Sequence, residues 1–195
     1  MDLPSCLDCK YADQGYPCHT ASGSYDFAKV GTAVVLYGRT FAEDNAEGFD
    51  AAEREKYAWA GDCSFEVEQD YPHLLMPLIV AAMDACETPR DAAFVAAGLV
   101  ENAVLKHGPL VIGTIEKLAA VSPKFRYVLS GIWARANADP DVWARVCQAA
   151  GSNGLMDTDG RGPSNGEPVT ALSDADATAL MKERVAPTAA RLGIA

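Results

Sequence analysis

Residues 88–143 read TPRDAAFVAAGLVENAVLKHGPLVIGTIEKLAAVSPKFRYVLSGIWARANADPDVW, and the punctuation of this stretch decides the fold. A capping or turn residue followed by proline recurs at Thr88-Pro89, Gly108-Pro109, Ser122-Pro123 and Asp139-Pro140. Proline suits the first helical position because its missing N–H has no partner there in any case, and the residue before it supplies a cap oxygen or the turn. Each pair therefore predicts a helix start. Thr88 is followed three residues on by Asp91, placed to bond back to the cap.

Between these starts the apolar residues fall at helical spacing. Phe94, Ala97, Val100, Ala103 and Val104 form one stripe, and Leu110, Ile112, Ile115, Leu118 and Ala119 the next. Phe125, Val128, Leu129, Ile132 and Trp133 make a third; Val142, Trp143 and Val146 make a short fourth. Connections of a few residues imply antiparallel neighbours. A preceding helix is expected from about Tyr71 to Cys86, with Pro72 near its start.

On the C-terminal side, Gly151 to Pro168 holds five glycines and reads as a loop before a last helix capped by Ser173, which Pro187 should kink or end near Val185-Ala186. On the N-terminal side, Cys6 to Ser24 is loop-like, and Val30 to Tyr37 reads as a strand or a buried helical turn. Phe49 to Ala60 looks helical, and Cys63 to Val67 alternates like a short strand. The expectation is a mainly α protein: an antiparallel helical bundle or stacked helical hairpins, with a small irregular α+β N-terminal region. Its parts are an acidic, Cys-containing region 1–70, a bundle 71–150, a Gly/Pro-rich loop 151–172 and a C-terminal helix 173–195.

The chain of 195 residues is long enough to bury a core, and its 49% hydrophobic content argues against disorder. No apolar run in the sequence approaches a membrane span, and the N-terminus lacks the basic and apolar regions of a signal peptide, so the expected location is the cytoplasm. The net charge of −11 is uneven: −9 over residues 1–70, zero over 71–150 and −2 over 151–195. Nucleic acid is a poor partner for such a chain, because a binder needs bases to displace counterions from phosphates. An acidic face instead suits another protein with a basic surface, or simply keeps the chain in solution.

Ala97-Gly98-Leu99-Val100-Glu101-Asn102, His107-Gly108, Ile112-Gly113-Thr114-Ile115-Glu116 and Pro123-Lys124-Phe125-Arg126, with Leu129, Gly131 and Trp133, resemble an uncharacterised bacterial helical domain family, a domain of unknown function. The family's pattern is a glycine then an acidic pair, a His-Gly turn, an Ile-Glu step and a Pro-x-Phe-Arg helix ending in Leu-x-Gly-x-Trp. Asn102 stands where the second acid would be. The resemblance covers roughly residues 97–133 and implies a compact helical domain without an established activity.

Chemistry concentrates in two places. Cys6 and Cys9, two residues apart, with Cys18 and His19 offer thiolate and imidazole ligands for one structural zinc, with Cys63 as an alternative ligand. A metal would explain how a polar segment poor in core residues folds. The competing readings are free or redox-active thiols and cysteines without a shared role; Cys86 and Cys147 sit in apolar stripes and read as core. Glu101, His107, Glu116 and Arg126 form a polar set inside the family-like stretch. They read as a structural network, with Glu116 paired to Arg126 and His107 satisfying helix carbonyls, in preference to an acid–base site.

Trp59, Trp133 and Trp143 read as core. Asp157 to Gly162 departs from the calcium-loop pattern, with Arg161 at a ligand position, and reads as a turn-rich loop. The phosphate loop, the dinucleotide glycine fingerprint, the nucleophile elbow and the His-Glu-x-x-His helix are all missing, and no residue is assigned a catalytic role. The leading expectation is a non-enzymatic, acidic helical protein–protein interaction module, of the inhibitor or immunity type, from a bacterial or phage setting. The alternatives are a small metalloenzyme or redox protein using the N-terminal Cys/His cluster, and an accessory structural subunit of a larger assembly.

Overall fold

The helix starts expected at Thr88, Ser122, Asp139 and Ser173 carry side-chain caps. The computed structural model of the chain describes residues 11, 15, 17–41, 51–151, 155–157 and 171–194. Helix α4 (Pro89–Val95) opens on a complete capping box, in which Thr88 Oγ1 accepts from Asp91 N and the Asp91 carboxylate accepts from Thr88 N. Helix α6 (Pro123–Leu129) is capped by Ser122, helix α7 (Pro140–Ala150) by Asp139 and helix α8 (Asp174–Leu180) by Ser173. Each cap satisfies N–H groups that a first turn would leave without partners.

Three further helices complete the N-terminal half: α1 (Phe27–Arg39), α2 (Ala51–Asp70) and α3 (Pro72–Ala85). Of the described residues 74% are helical and none lies in a strand; the one β-type contact is an isolated antiparallel bridge between His19 and Tyr25. The expected α+β character of the N-terminal region is therefore corrected. Val30–Tyr37 lies inside α1, where Val30, Gly31, Ala33, Val34 and Val35 share the buried face. Cys63–Val67 lies inside α2, whose buried positions Cys63, Ser64, Val67 and Glu68 follow a helical period and not a period of two. A short apolar run fits either element, and packing against α3 selects the helix.

Helix α3 is the centre of the molecule. Leu74, Leu75, Leu78, Ile79, Ala82 and Met83 are wholly buried on it, and α1, α2 and α5 (Glu101–Val121) pack around it. Gly31 allows the closest approach: a Cβ there would stand 2.6 Å from the backbone of Ala81 and Ala82. Helix α5 packs in turn on α7, and one contiguous core runs from Cys18 to Ala189.

Residues 89–121 form one 33-residue helical run instead of two separate helices. A π-helical turn at Ala96–Val100 joins α4 to α5 and shifts the register of the predicted stripe, so Ala97 faces solvent while Ala96, Leu99 and Val100 are buried. The expected start at Gly108-Pro109 is a kink at His107 (φ −131°, ψ 20°), because Pro109 offers no N–H to the helix and crowds the preceding turn. Leu110, placed in the second stripe by its spacing, is 72% exposed beyond that kink. The run's most apolar 18-residue window has a mean hydropathy of 1.2, enough in length and composition to cross a membrane, which piecewise reading of the sequence did not find. Half of that window is buried against the rest of the chain, as in a core helix.

Two more expectations change. Helix α6 ends at Leu129, so the third stripe does not extend to Trp133, which is 47% exposed; Trp59 is buried and Trp143 partly so. Pro187 does not end a helix but sits in the first turn of α9 (Ala186–Arg191).

The C-terminal segment is fastened by charge. The Asp84 carboxylate on α3 accepts from Arg184 Nε (2.9 Å), Val185 N (2.5 Å) and Ala186 N (3.3 Å). Glu183 accepts from Ser122 Oγ (2.7 Å) and Lys124 N (3.1 Å) at the start of α6. Lys124 itself is fully buried, and its Nζ donates to the carbonyls of Met181 (2.9 Å), Glu183 (3.2 Å) and Cys86 (3.4 Å). Burial lowers the pKa of this amine, while burial pushes the neighbouring Cys86 thiol up to about 12.

Candidate functional site

The polar residues of the family-like stretch meet a partner that sequence reading missed. Glu68 lies on the buried face of α2, with its side chain 7% exposed, directly against α5. Its Oε2 accepts from Asn102 Nδ2 (2.8 Å) and Lys106 Nζ (3.3 Å), and its backbone carbonyl accepts from His107 Nε2 (2.6 Å). Because a carbonyl only accepts, this contact places the His107 proton on Nε2.

The helix geometry explains the convergence. Asn102 and Lys106 are four residues apart and so share one face of α5, and the kink that Pro109 imposes turns His107 out of the regular ladder toward the last turn of α2. The π-helical turn immediately before Glu101 sets which residues of α5 take that face. Burial raises the pKa of Glu68, against the lowering effects of Lys106, Asn102 and His107. Both groups that grip the carboxylate therefore act as a clamp between α2 and α5.

The outer side of the clamp is a surface. Lys106, 32% exposed, lies over the ring of Phe65 at 5.2 Å from its centroid, and Phe65 is 58% exposed. Asp62, Glu66 and Asp70, each four residues from the next, are exposed on the same helix beside Phe65 and Gln69. Asp62 Oδ2 accepts a hydrogen bond from Tyr11 OH at 2.5 Å.

The four residues grouped from sequence do not form one network. His107 joins the Glu68 clamp, whereas Glu101 accepts from the Trp133 backbone N–H (2.6 Å) and so ties α5 to the turn after α6. Glu116 is not paired with Arg126: it takes both Nε (2.7 Å) and Nη2 (2.6 Å) of Arg145 on α7, which holds its carboxyl below the usual range. Arg126 donates to the Ala119 carbonyl at 2.6 Å. Residues on successive helices were grouped by sequence distance, and the packing of α5 on α7 brought Arg145 closer to Glu116 than Arg126.

Of the proposed metal ligands, Cys6 and Cys9 lie outside the described residues. Cys18 is fully buried with its Sγ 3.2 Å from His19 Nδ1, and Cys63 is buried on α2. Among the described residues no group of three or more His, Cys, Asp or Glu side chains is arranged to hold a metal ion. The core reading of Cys86 holds at 1% exposure, and Cys147 is half-buried.

Glu68 had a detectable signal: once residues 51–70 are read as one helix, it falls one position after Val67 on the buried face. Asp91 was legible as the partner of the Thr88 cap but not of Arg39, and Asp84 and Lys124 had no signal beyond their positions at helix ends. Asp91 is held by Arg39 Nε (2.9 Å) and Nη2 (2.8 Å) from α1, and these bonds with the Glu87 and Thr88 N–H groups outweigh burial and keep its pKa low.

A family model matches residues 47–153, a stretch that contains Glu68, Asn102, Lys106, His107, Glu101, Trp133 and the Glu116–Arg145 pair. Helices α1, α8 and α9 and the N-terminal cysteines lie outside it. No curated protein and no solved structure matches the chain. The match spans more than half of the sequence and extends the resemblance read at residues 97–133 in both directions, and the chain belongs to the family of unknown function DUF6869.

Proposed function

We propose that this chain is a non-enzymatic, acidic helical module that binds another protein through the outer face of α2. The observation that carries the reading is Phe65, 58% exposed on a helix whose neighbouring outward positions are Asp62, Glu66 and Asp70. An exposed aromatic anchor flanked along its own helix by carboxylates, with Lys106 over one face of its ring, suits a basic partner, with the aromatic supplying affinity and the carboxylates the encounter rate. The Glu68 clamp supports this by fixing α2 against α5, so that the face is presented on a rigid element. A module of this kind acts by covering a basic surface, as an inhibitor or immunity-type protein does.

The test is capture of a stoichiometric partner by tagged protein at low salt, repeated with Phe65→Ala, Glu66→Lys and, on a different helix pair, Arg145→Gln. The expected result is a complex lost at about 0.5 M salt, where charge interactions are screened within a few ångströms. Phe65→Ala and Glu66→Lys should each weaken it about tenfold or more, with Arg145→Gln unchanged. A complex that survives high salt and both α2 substitutions would replace this reading with that of a permanent, apolar subunit interface.

A further inference from the structure

A groove of about 410 Å³ lies between the first half of α1 and the second half of α3 and reaches the segment that leads into α9. It exists because Gly31 lets the two helices touch at Ala81, while the alanines on either side are too small to fill the space beyond. Phe27, Pro77, Val80 and Ala81 give it apolar walls, and its volume falls in the range of roughly 300–1,000 Å³ usual for small-molecule sites.

Its polar groups are unequal in what they can still offer. Thr32 Oγ1 already donates to the Ala28 carbonyl at 2.8 Å. The Asp84 carboxylate, 8% exposed, already accepts three hydrogen bonds out of the about four that two carboxylate oxygens take. Arg184 has committed only Nε to Asp84, its side chain is 70% exposed, and among the described residues its Nη atoms meet no acceptor. What remains at the polar end of the groove is a planar, positively charged donor edge, and a guanidinium edge matches a carboxylate.

The geometry points to a binding site for an anionic amphiphile: a chain or ring of hydrocarbon in the groove, with its terminal carboxylate on the Nη edge of Arg184. A cationic amphiphile would face Arg184 and find Asp84 already engaged. The site joins α3, inside the family-matched residues 47–153, to α1 and the segment before α9, which lie outside them.

Calorimetric titration of the full chain with decanoate, decanol and decyltrimethylammonium tests this. Decanoate should bind at one per chain and more tightly than the other two. Arg184→Gln should weaken decanoate about tenfold, the loss expected for one charge-assisted pair, and leave decanol unchanged. Ala28→Phe, which fills the groove from its exposed rim, should remove both, with circular dichroism confirming that each variant is folded. The proposal is overturned by no decanoate binding up to about 1 mM. It is equally overturned by decanoate binding that both variants leave intact, or by a cation that binds as well as the carboxylate.

Discussion

The Glu68 carboxylate sits among donors and still has a raised pKa, because burial outweighs Lys106 and Asn102. A carboxyl whose pKa is higher in the folded than in the unfolded chain contributes most below its unfolded value near 4.5, and that contribution is lost as pH rises through the folded value. Glu68→Gln holds the site neutral and keeps an acceptor for Asn102. Urea unfolding should therefore show the variant gaining on the wild type as pH rises from about 4 to about 8, and a flat difference would refute the assignment. Lys106→Met should cost about 1–2 kcal/mol at neutral pH, less than for a fully buried pair because Lys106 is a third exposed. At this scale the sequence was least informative. His107 reads in the sequence as capping the carbonyls at the end of its own helix before Gly108, whereas the helix runs on and the carbonyl it meets belongs to Glu68, 39 positions away. Nothing local distinguishes Lys124 from the surface lysines that first turns of helices usually carry.

At the scale of elements, two glycines separate backbone approach from mere tolerance. Gly31 lies where α1 touches α3, and Gly31→Ala should destabilise by about 2–3 kcal/mol, since neither Ala81 nor Ala82 backbone can retreat. Gly98 lies in the π-helical turn with nothing within 4 Å of a would-be Cβ, and Gly98→Ala should stabilise by about 0.5–1 kcal/mol through helix propensity. Thermal unfolding of the pair reads both signs. The elements were largely legible because caps are local chemistry: Thr88, Ser122, Asp139 and Ser173 each cap the helix that the residue pattern placed after them. The π-helical turn was not legible, since its residues Ala96 to Val100 differ from an α-helical run only in how they pack. The strand expected at Cys63–Val67 failed for the same reason, and Val30–Tyr37, readable as a strand or a buried helical turn, is helical, as neighbouring helices and not local propensity decide a short apolar run.

For the whole molecule, the contacts that cross its ends imply that the family-matched stretch 47–153 does not fold on its own. Removing residues 1–46 would strip α1 from α3 at their closest contact, and removing residues after 153 would take away Met181 and Glu183 from Lys124 and uncover the part of the core that Ala177, Val185 and Ala189 pack against. A fragment of residues 47–153 should lack a cooperative unfolding transition that the full chain shows, by circular dichroism with temperature; a sharp transition in the fragment would refute this. Lys124 also imposes an order in time. Its acceptors at Met181 and Glu183 follow it by 57 and 59 residues. At synthesis rates of roughly 5–20 residues per second, several seconds separate the emergence of the amine from that of the carbonyls that will hold it. Until then only the Cys86 carbonyl, at 3.4 Å, is present of the three that hold the amine, so α6 is expected to close over the end of α3 late in synthesis.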